Sequence, residues 1–283
     1  MDQQQTHQLI LLLLFTLVSS TSVNAFTSEL PTPSLNETEE KTSELPAPSP
    51  DEPEVKQFLL PPNYQSLYKL EKYGTHVGDM EVELNYNNGV INYSSIATAK
   101  GLASFLVKTK PKENSVLNWP EDARLSFPQQ QSYNYFQDKK HKKNQQILFS
   151  HTQTNETLIK GSYKHKTYTL ETDKTVWARQ LLPLLMSSDL QLNPDITSNS
   201  FYISDKGQIQ KYTYTRLATE YIKFENKVLP VLKFKINREG NGRMSYAWLS
   251  SAHFYLPLKI EQYKKDALYL RMLMTHFKLN QDD

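Results

Sequence analysis

The stretch that decides the fold is Arg243–Leu279, RMSYAWLSSAHFYLPLKIEQYKKDALYLRMLMTHFKL. Met244, Tyr246 and Trp248 alternate with polar or small residues, and Leu258 and Ile260 alternate with Lys259 and Glu261. Leu268, Leu270, Met272 and Met274 continue the pattern before Phe277 and Leu279. A side-chain period of two puts each such set on one face of a pleated sheet. Three consecutive strands that close a core are therefore expected at this end of the sequence.

Upstream, Phe201–Ser204, Gln208–Thr215, Ala218–Glu225 and Val228–Arg238 read as strands, with turns at Asp205-Lys206-Gly207 and Glu225-Asn226-Lys227. Gly240 and Gly242 form a further turn rather than a phosphate loop, because the third glycine and the helix are missing. The one helical stretch carries Trp177, Leu181, Leu184, Leu185 and Leu190 at helical spacing, with Pro183 allowed only near its start or at a kink. Its apolar face is expected to cover one side of the sheet.

Earlier still come Leu158–Tyr163 paired with Thr167–Thr172, and Tyr133–Gln137 paired with Gln145–His151. Gly101–Lys110 reads as a strand with a bend at Gly101. Val90–Thr98 pairs with Asp79–Tyr86 through Asn87-Asn88-Gly89, where Asn and Gly tolerate positive φ. Asp79–Tyr86 in turn follows Tyr64–Lys72 through a turn from Gly74 to Gly78. The total is about a dozen strands and one helix. The fold class is mainly β: a large curved antiparallel sheet or open half-barrel with one covering helix. Parallel α/β architectures are excluded.

Three segments divide the chain. Residues 1–25 read as a signal peptide: Leu9–Val18 is an apolar run of hydrophobic-region length, too short to span a bilayer, and Val23-Asn24-Ala25 suits cleavage near Ala25. The preceding MDQQQTHQ is atypical in having no Lys or Arg. Residues 26–60 are a Pro/Ser/Glu-rich linker in which TSELPTPS (Thr27–Ser34) returns as TSELPAPS (Thr42–Ser49). Its prolines block helix and sheet, and it holds too little apolar surface to offset ordering. Residues 61–283, after the Pro61-Pro62 boundary, form a single β-rich domain. The mature chain has no transmembrane span, and localisation is periplasmic or otherwise exported.

Charge is uneven. Residues 26–56 carry eight acidic residues against two lysines, whereas residues 57–283 carry 30 Lys+Arg against 21 Asp+Glu. A basic domain favours anionic partners, although dispersed lysines also serve solubility. The densest run, Lys139, Lys140, Lys142 and Lys143 around His141, falls at a hairpin tip. It reads first as a solvated turn, and more sharply as a contact for anionic headgroups. Export argues against nucleic acid. The absence of cysteine excludes disulfides, thiol catalysis and thiolate metal sites.

No catalytic motif is present. The seven histidines show no zinc-ligand spacing, and no nucleophile elbow or Walker loop occurs. His151 and His165 are the one pair that neighbouring strands could bring together, and ordinary strand residues are the simpler reading. No cofactor or metal is implied. Seventeen Tyr, twelve Phe and three Trp mainly suit β packing. Tyr212 with Tyr214, and Tyr246 with Trp248, are the candidates for a ligand-binding aromatic face toward sugars or acyl chains.

The order of Tyr73-Gly74-x-x-x-Gly78, Pro128 before an aromatic strand, a helix over Asp173–Leu190, Asp205-Lys206-Gly207 before Tyr212, Trp248-Leu249 and Leu256-Pro257-Leu258-Lys259-Ile260 resembles the domain of unknown function 3108 family. The resemblance covers nearly all of residues 61–280. It implies a mostly antiparallel β protein of the Gram-negative envelope with no established activity, so it transfers no functional residues. The long acidic tether and the lysine-rich hairpin depart from that pattern. The expectation is a non-enzymatic protein that binds a hydrophobic or anionic envelope component: lipid, glycan or another envelope protein. The alternative is an enzyme acting on envelope polysaccharide.

Overall fold

The computed structural model describes residues 58–101, 103–104, 110–119, 128–138, 143–151, 156–239 and 243–280. Among the described residues, fifteen strands form one sheet: β1 (Tyr64–Lys72), β2 (Thr75–Asn87), β3 (Val90–Ala99), β4 (Lys112–Asn118), β5 (Gln129–Phe136), β6 (Gln145–His151), β7 (Thr157–Tyr163), β8 (Lys166–Thr172), β9 (Val176–Ala178), β10 (Ser198–Asp205), β11 (Gln208–Phe224), β12 (Lys227–Arg238), β13 (Arg243–Ser250), β14 (Leu256–Lys264) and β15 (Ala267–Leu279). One long helix, α1 (Leu182–Leu192), lies between β9 and β10. The mainly antiparallel architecture expected from the alternation is thus the observed one, with three strands more than a dozen. The exception to antiparallel pairing is β9, which runs parallel to β10.

The spatial order is β8 to β1, then β15 down to β9, so β1 and β15 pair in the middle and β8 and β9 are the two edges. Those edges are consecutive in sequence. Only residues 173–175 separate Thr172 from Val176, a connection that spans at most about 14 Å. The sheet must therefore roll until its edges approach. It remains open, since β8 and β9 share no ladder, and side chains bridge the gap. The Gln145 amide of β6, in the orientation that satisfies both its ends, donates to Asp205 Oδ1 (3.1 Å) and accepts from the Lys206 amide (2.8 Å). The Tyr168 ring of β8 packs on Gly207 in the β10–β11 turn. Tyr133, Ile147 and Ile159 from one end of the sheet share a core cluster with Val176 and Ala178 from the other.

Two-residue turns set this roll. At Tyr73-Gly74, Asn88-Gly89, Lys164-His165, Lys206-Gly207 and Lys265-Asp266 both central residues have positive φ, the twist that matches right-handed strands. The β1–β2 turn is Tyr73-Gly74 alone, shorter than the Gly74–Gly78 turn expected. Gly78 belongs to β2, where a Cβ would meet the Thr98 carbonyl oxygen at 2.5 Å.

The helix does more than cover one face. Seven of its eleven residues are buried, including Leu182, Leu184, Leu185, Met186 and Leu190, as expected for a helix enclosed on most sides. Pro183 lies in its first turn, where the absent amide costs nothing. Trp177, expected in the helix, is in β9 instead. Ser187 Oγ donates to the Phe254 carbonyl (2.6 Å), Ser188 Oγ accepts from the Leu59 amide (2.9 Å), and Tyr214 donates to Asp189 (2.5 Å). These bonds fix α1 inside the roll.

Two other expectations change. Gly101 is in a turn with φ +57° and residues 103–104 are helical, so that segment does not start as a strand, and residues 105–109 are outside the described residues. Phe58, assigned by composition to the linker, is buried against Trp177 and Trp119, so the folded unit includes residues 58–60. Residues 1–57, on which the expected signal peptide and nearly all of the expected linker fall, are outside the described residues.

Candidate functional site

The candidate site is the interior of the roll. Between α1 and the concave face lies a largely apolar cavity that opens to solvent. Its walls are mostly apolar: Met80 and Val82 on β2, Leu182 and Met186 on α1, Leu249 on β13 and Met272 on β15. Methionines adapt to irregular apolar guests. Gln180, Pro183, Ile236, Arg238 and Ser245 are the half-buried members of the lining, so solvent reaches it between the start of α1 and the β12–β13 end.

At that end the lining turns polar. Arg179, just before α1, donates from Nη2 to Glu113 Oε1 (3.3 Å) and from Nε to the Tyr133 hydroxyl (3.0 Å). Tyr133 in turn donates to Glu113 Oε2 (2.7 Å), and Asp205 Oδ1 is 3.9 Å from Arg179 Nε. Burial works against the Arg179 charge, but Glu113, Tyr133 and Asp205 outweigh it and hold the guanidinium protonated. Lys206, 3.5 Å from Asp205, is pushed down to about 8 chiefly by burial. This cluster joins β4, β5 and β10 to the helix start, and its carboxylates are engaged by cations.

Arg238 is placed differently. It ends β12 with its guanidinium 5.8 Å from the Tyr212 ring centroid, and it faces the cavity. Its Nε and Nη1 are buried and have no hydrogen-bond partner among the described residues. The same holds for Nε2 of Gln180 and Nε2 of Gln262, both in the lining. Gln180 already accepts from Ser115 Oγ (2.9 Å).

The four aromatic candidates separate. Tyr212 lines the cavity, and Tyr214 is buried inside against Phe201 and Phe234. Tyr246 and Trp248 are on the opposite, outer face: Trp248 pairs with Lys233 and Lys259, while Ser245, Ala247 and Leu249 point inward. Cross-strand partners share a face, so the aromatic set of β13 does not belong to the core side. Trp248 is buried there nevertheless. Lys259 Nζ lies 3.5 Å from its ring centroid, and its indole donates to Glu220 (2.6 Å), whose other oxygen takes Lys233 Nζ (2.8 Å). Those two hydrogen bonds hold the Glu220 carboxyl below its usual range. The outer rings are therefore already capped by protein groups.

Lys139, Lys140 and Lys142 are outside the described residues, and Lys143 is half-buried. His151 and His165 are not brought together. His151 pairs with Thr157 at one end of β6, and His165 follows Tyr163, which pairs with Gln145 at the other end, about 20 Å away at strand rise. Among the described residues, no group of three His, Asp or Glu is placed to hold a metal ion. No described helix is long and apolar enough to cross a membrane.

Arg238, Gln180, Gln262 and the Arg179–Glu113 pair went unnoticed in the sequence. One signal was present: Phe234, Ile236 and Arg238 share a face of β12, an arginine on an otherwise apolar row.

No protein-family model matches the chain, and no curated protein does. Among solved structures it is similar to a Bacteroides fragilis protein described as exported and of YmcC-like fold, at 9% identity and a TM-score of 0.32, over 79% of this chain and 100% of that one.

Proposed function

We propose that this chain is an exported, non-enzymatic protein that holds an apolar or amphiphilic envelope molecule inside its rolled sheet. The apolar cavity beside α1 carries this reading. Walls of Leu, Ile and Met with a few polar groups at one end suit binding. The described ionisable cluster supports no catalytic assignment, because Glu113 is bonded to Arg179 and Tyr133, and no nucleophile–base pair adjoins it. Export rests on the leader-like residues 1–25. Kinship with the domain of unknown function 3108 family is part of the same proposal and rests on motif order alone.

Native mass spectrometry with lipid extraction, on protein recovered from a periplasmic preparation, tests the reading. An extractable amphiphile accounting for a mass increment is the expected result. A clean apo mass, together with no uptake of hexadecanol or palmitate by the purified protein, would overturn it.

A further inference from the structure

Arg238, Gln180 and Gln262 give the cavity a chemical preference. Each contributes buried N–H groups with no hydrogen-bond partner among the described residues, and all are donors: Arg238 Nε and Nη1, Gln180 Nε2 and Gln262 Nε2. A buried donor left unmet costs a large part of its desolvation penalty, more so on a charged group. The three come from separate elements and converge on one cavity. Gln262 is itself 5% exposed, so its amide is held inside rather than toward solvent.

The charge count gives the sign of the guest. Among the described residues, Arg179, Lys206 and Arg238 are the buried or half-buried cations grouped at this end, and Glu113 and Asp205 are the buried carboxylates. Both carboxylates are taken by Arg179 and Lys206, which leaves Arg238 as the surplus positive charge. Its neighbours within electrostatic range include Lys206 and the Tyr212 ring. A guanidinium offers charge-assisted N–H donors that a carboxylate accepts well.

Resting on the binding function proposed above, we infer that the cavity takes a single-chain amphiphile with a monocarboxylate head, anchored by Arg238 with Gln180 and Gln262, its acyl chain along Met80, Met186 and Met272.

The test titrates the purified protein with palmitate and with hexadecanol, equal in chain and different in head. Palmitate is expected to bind at least tenfold more tightly. Arg238→Gln should remove that preference, while Arg238→Lys keeps part of it. Arg238 is half-buried at the mouth, so folding should survive, and circular dichroism checks it. Gln262→Leu, isolating a deeper donor, should weaken palmitate severalfold. If both ligands bind equally and Arg238→Gln changes neither, the donors serve water and the head-group assignment falls while the binding function stands. If neither ligand binds and the protein is recovered with a clean apo mass, the binding function itself falls.

Discussion

Arg179 Nη2 lies 3.3 Å from Glu113 Oε1 with both side chains at 5% exposure or less, across 66 residues of sequence. The pair closes the roll by joining β4 to the segment that starts α1. Removing one partner of a buried pair leaves a charge without compensation and costs about 3–5 kcal/mol. Arg179→Met leaves Glu113 without a cation and takes one partner from Asp205, which keeps Lys206 and Gln145, whereas Glu113→Gln leaves Arg179 its contact with Asp205. Urea unfolding should therefore rank Arg179→Met as the more damaging change. Equal or smaller loss for Arg179→Met would mean that Asp205 is not coupled to the cluster.

Stability should rise with pH between about 8 and 10. Lys72 and Lys206 both have folded-state values pushed down from 10.5 to about 8, each chiefly by burial. In that window the unfolded chain binds more protons than the folded one, so raising pH favours the fold. Above pH 10 the trend should reverse, because Tyr68, Tyr133 and Tyr214 are raised by burial and their unfolded forms ionise first. Thermal melts from pH 7 to 11 should show a maximum near 10. Lys206→Met should flatten the rising limb, and an unchanged limb would remove Lys206 from the explanation.

The fold was largely legible because most strands have an apolar row facing an apolar interior. Where the interior is polar the signal failed. β4 buries Glu113, Ser115 and Leu117 on its inner face, and alternation cannot mark a row whose charge is met by an arginine distant in sequence. In β11 the alternation breaks at Arg216 and Leu217, so the sequence suggests two strands, Gln208–Thr215 and Ala218–Glu225. It is one 17-residue strand with a register shift between Arg216 and Ala218, so a bulge imitated a turn. The site was less legible than the fold. An arginine at a strand end looks like surface until the roll places Tyr212, Gln180 and Gln262 around it.

Gly78→Ala should destabilise the protein by about 1–3 kcal/mol. Its φ is not in the left-handed region, so the cost would be steric: the new Cβ sits 2.5 Å from the Thr98 carbonyl oxygen and 3.3 Å from Ala99 Cα, both backbone atoms. Neither can rotate away as a side chain would. The readout is the urea midpoint, together with amide exchange at the adjoining β2–β3 pairs, which should quicken. A wild-type midpoint would show that the two strands can separate locally without cost.

His165→Gly and Asp266→Gly should each stabilise the protein by about 1 kcal/mol. Both residues are the second central position of a two-residue turn, with φ of +62° and +61°, a region that costs an L-residue roughly 1–2 kcal/mol. Glycine relieves that cost but enlarges the unfolded ensemble, so the net gain is smaller than the strain. Gly89 and Gly207 already hold the corresponding place in the β2–β3 and β10–β11 turns. The two substitutions are in turns of different hairpins, β7–β8 and β14–β15, so their gains should add in the double variant. Chemical denaturation of both singles and the double decides it. A loss in either single variant would mean that the replaced side chain holds its turn by more than conformation.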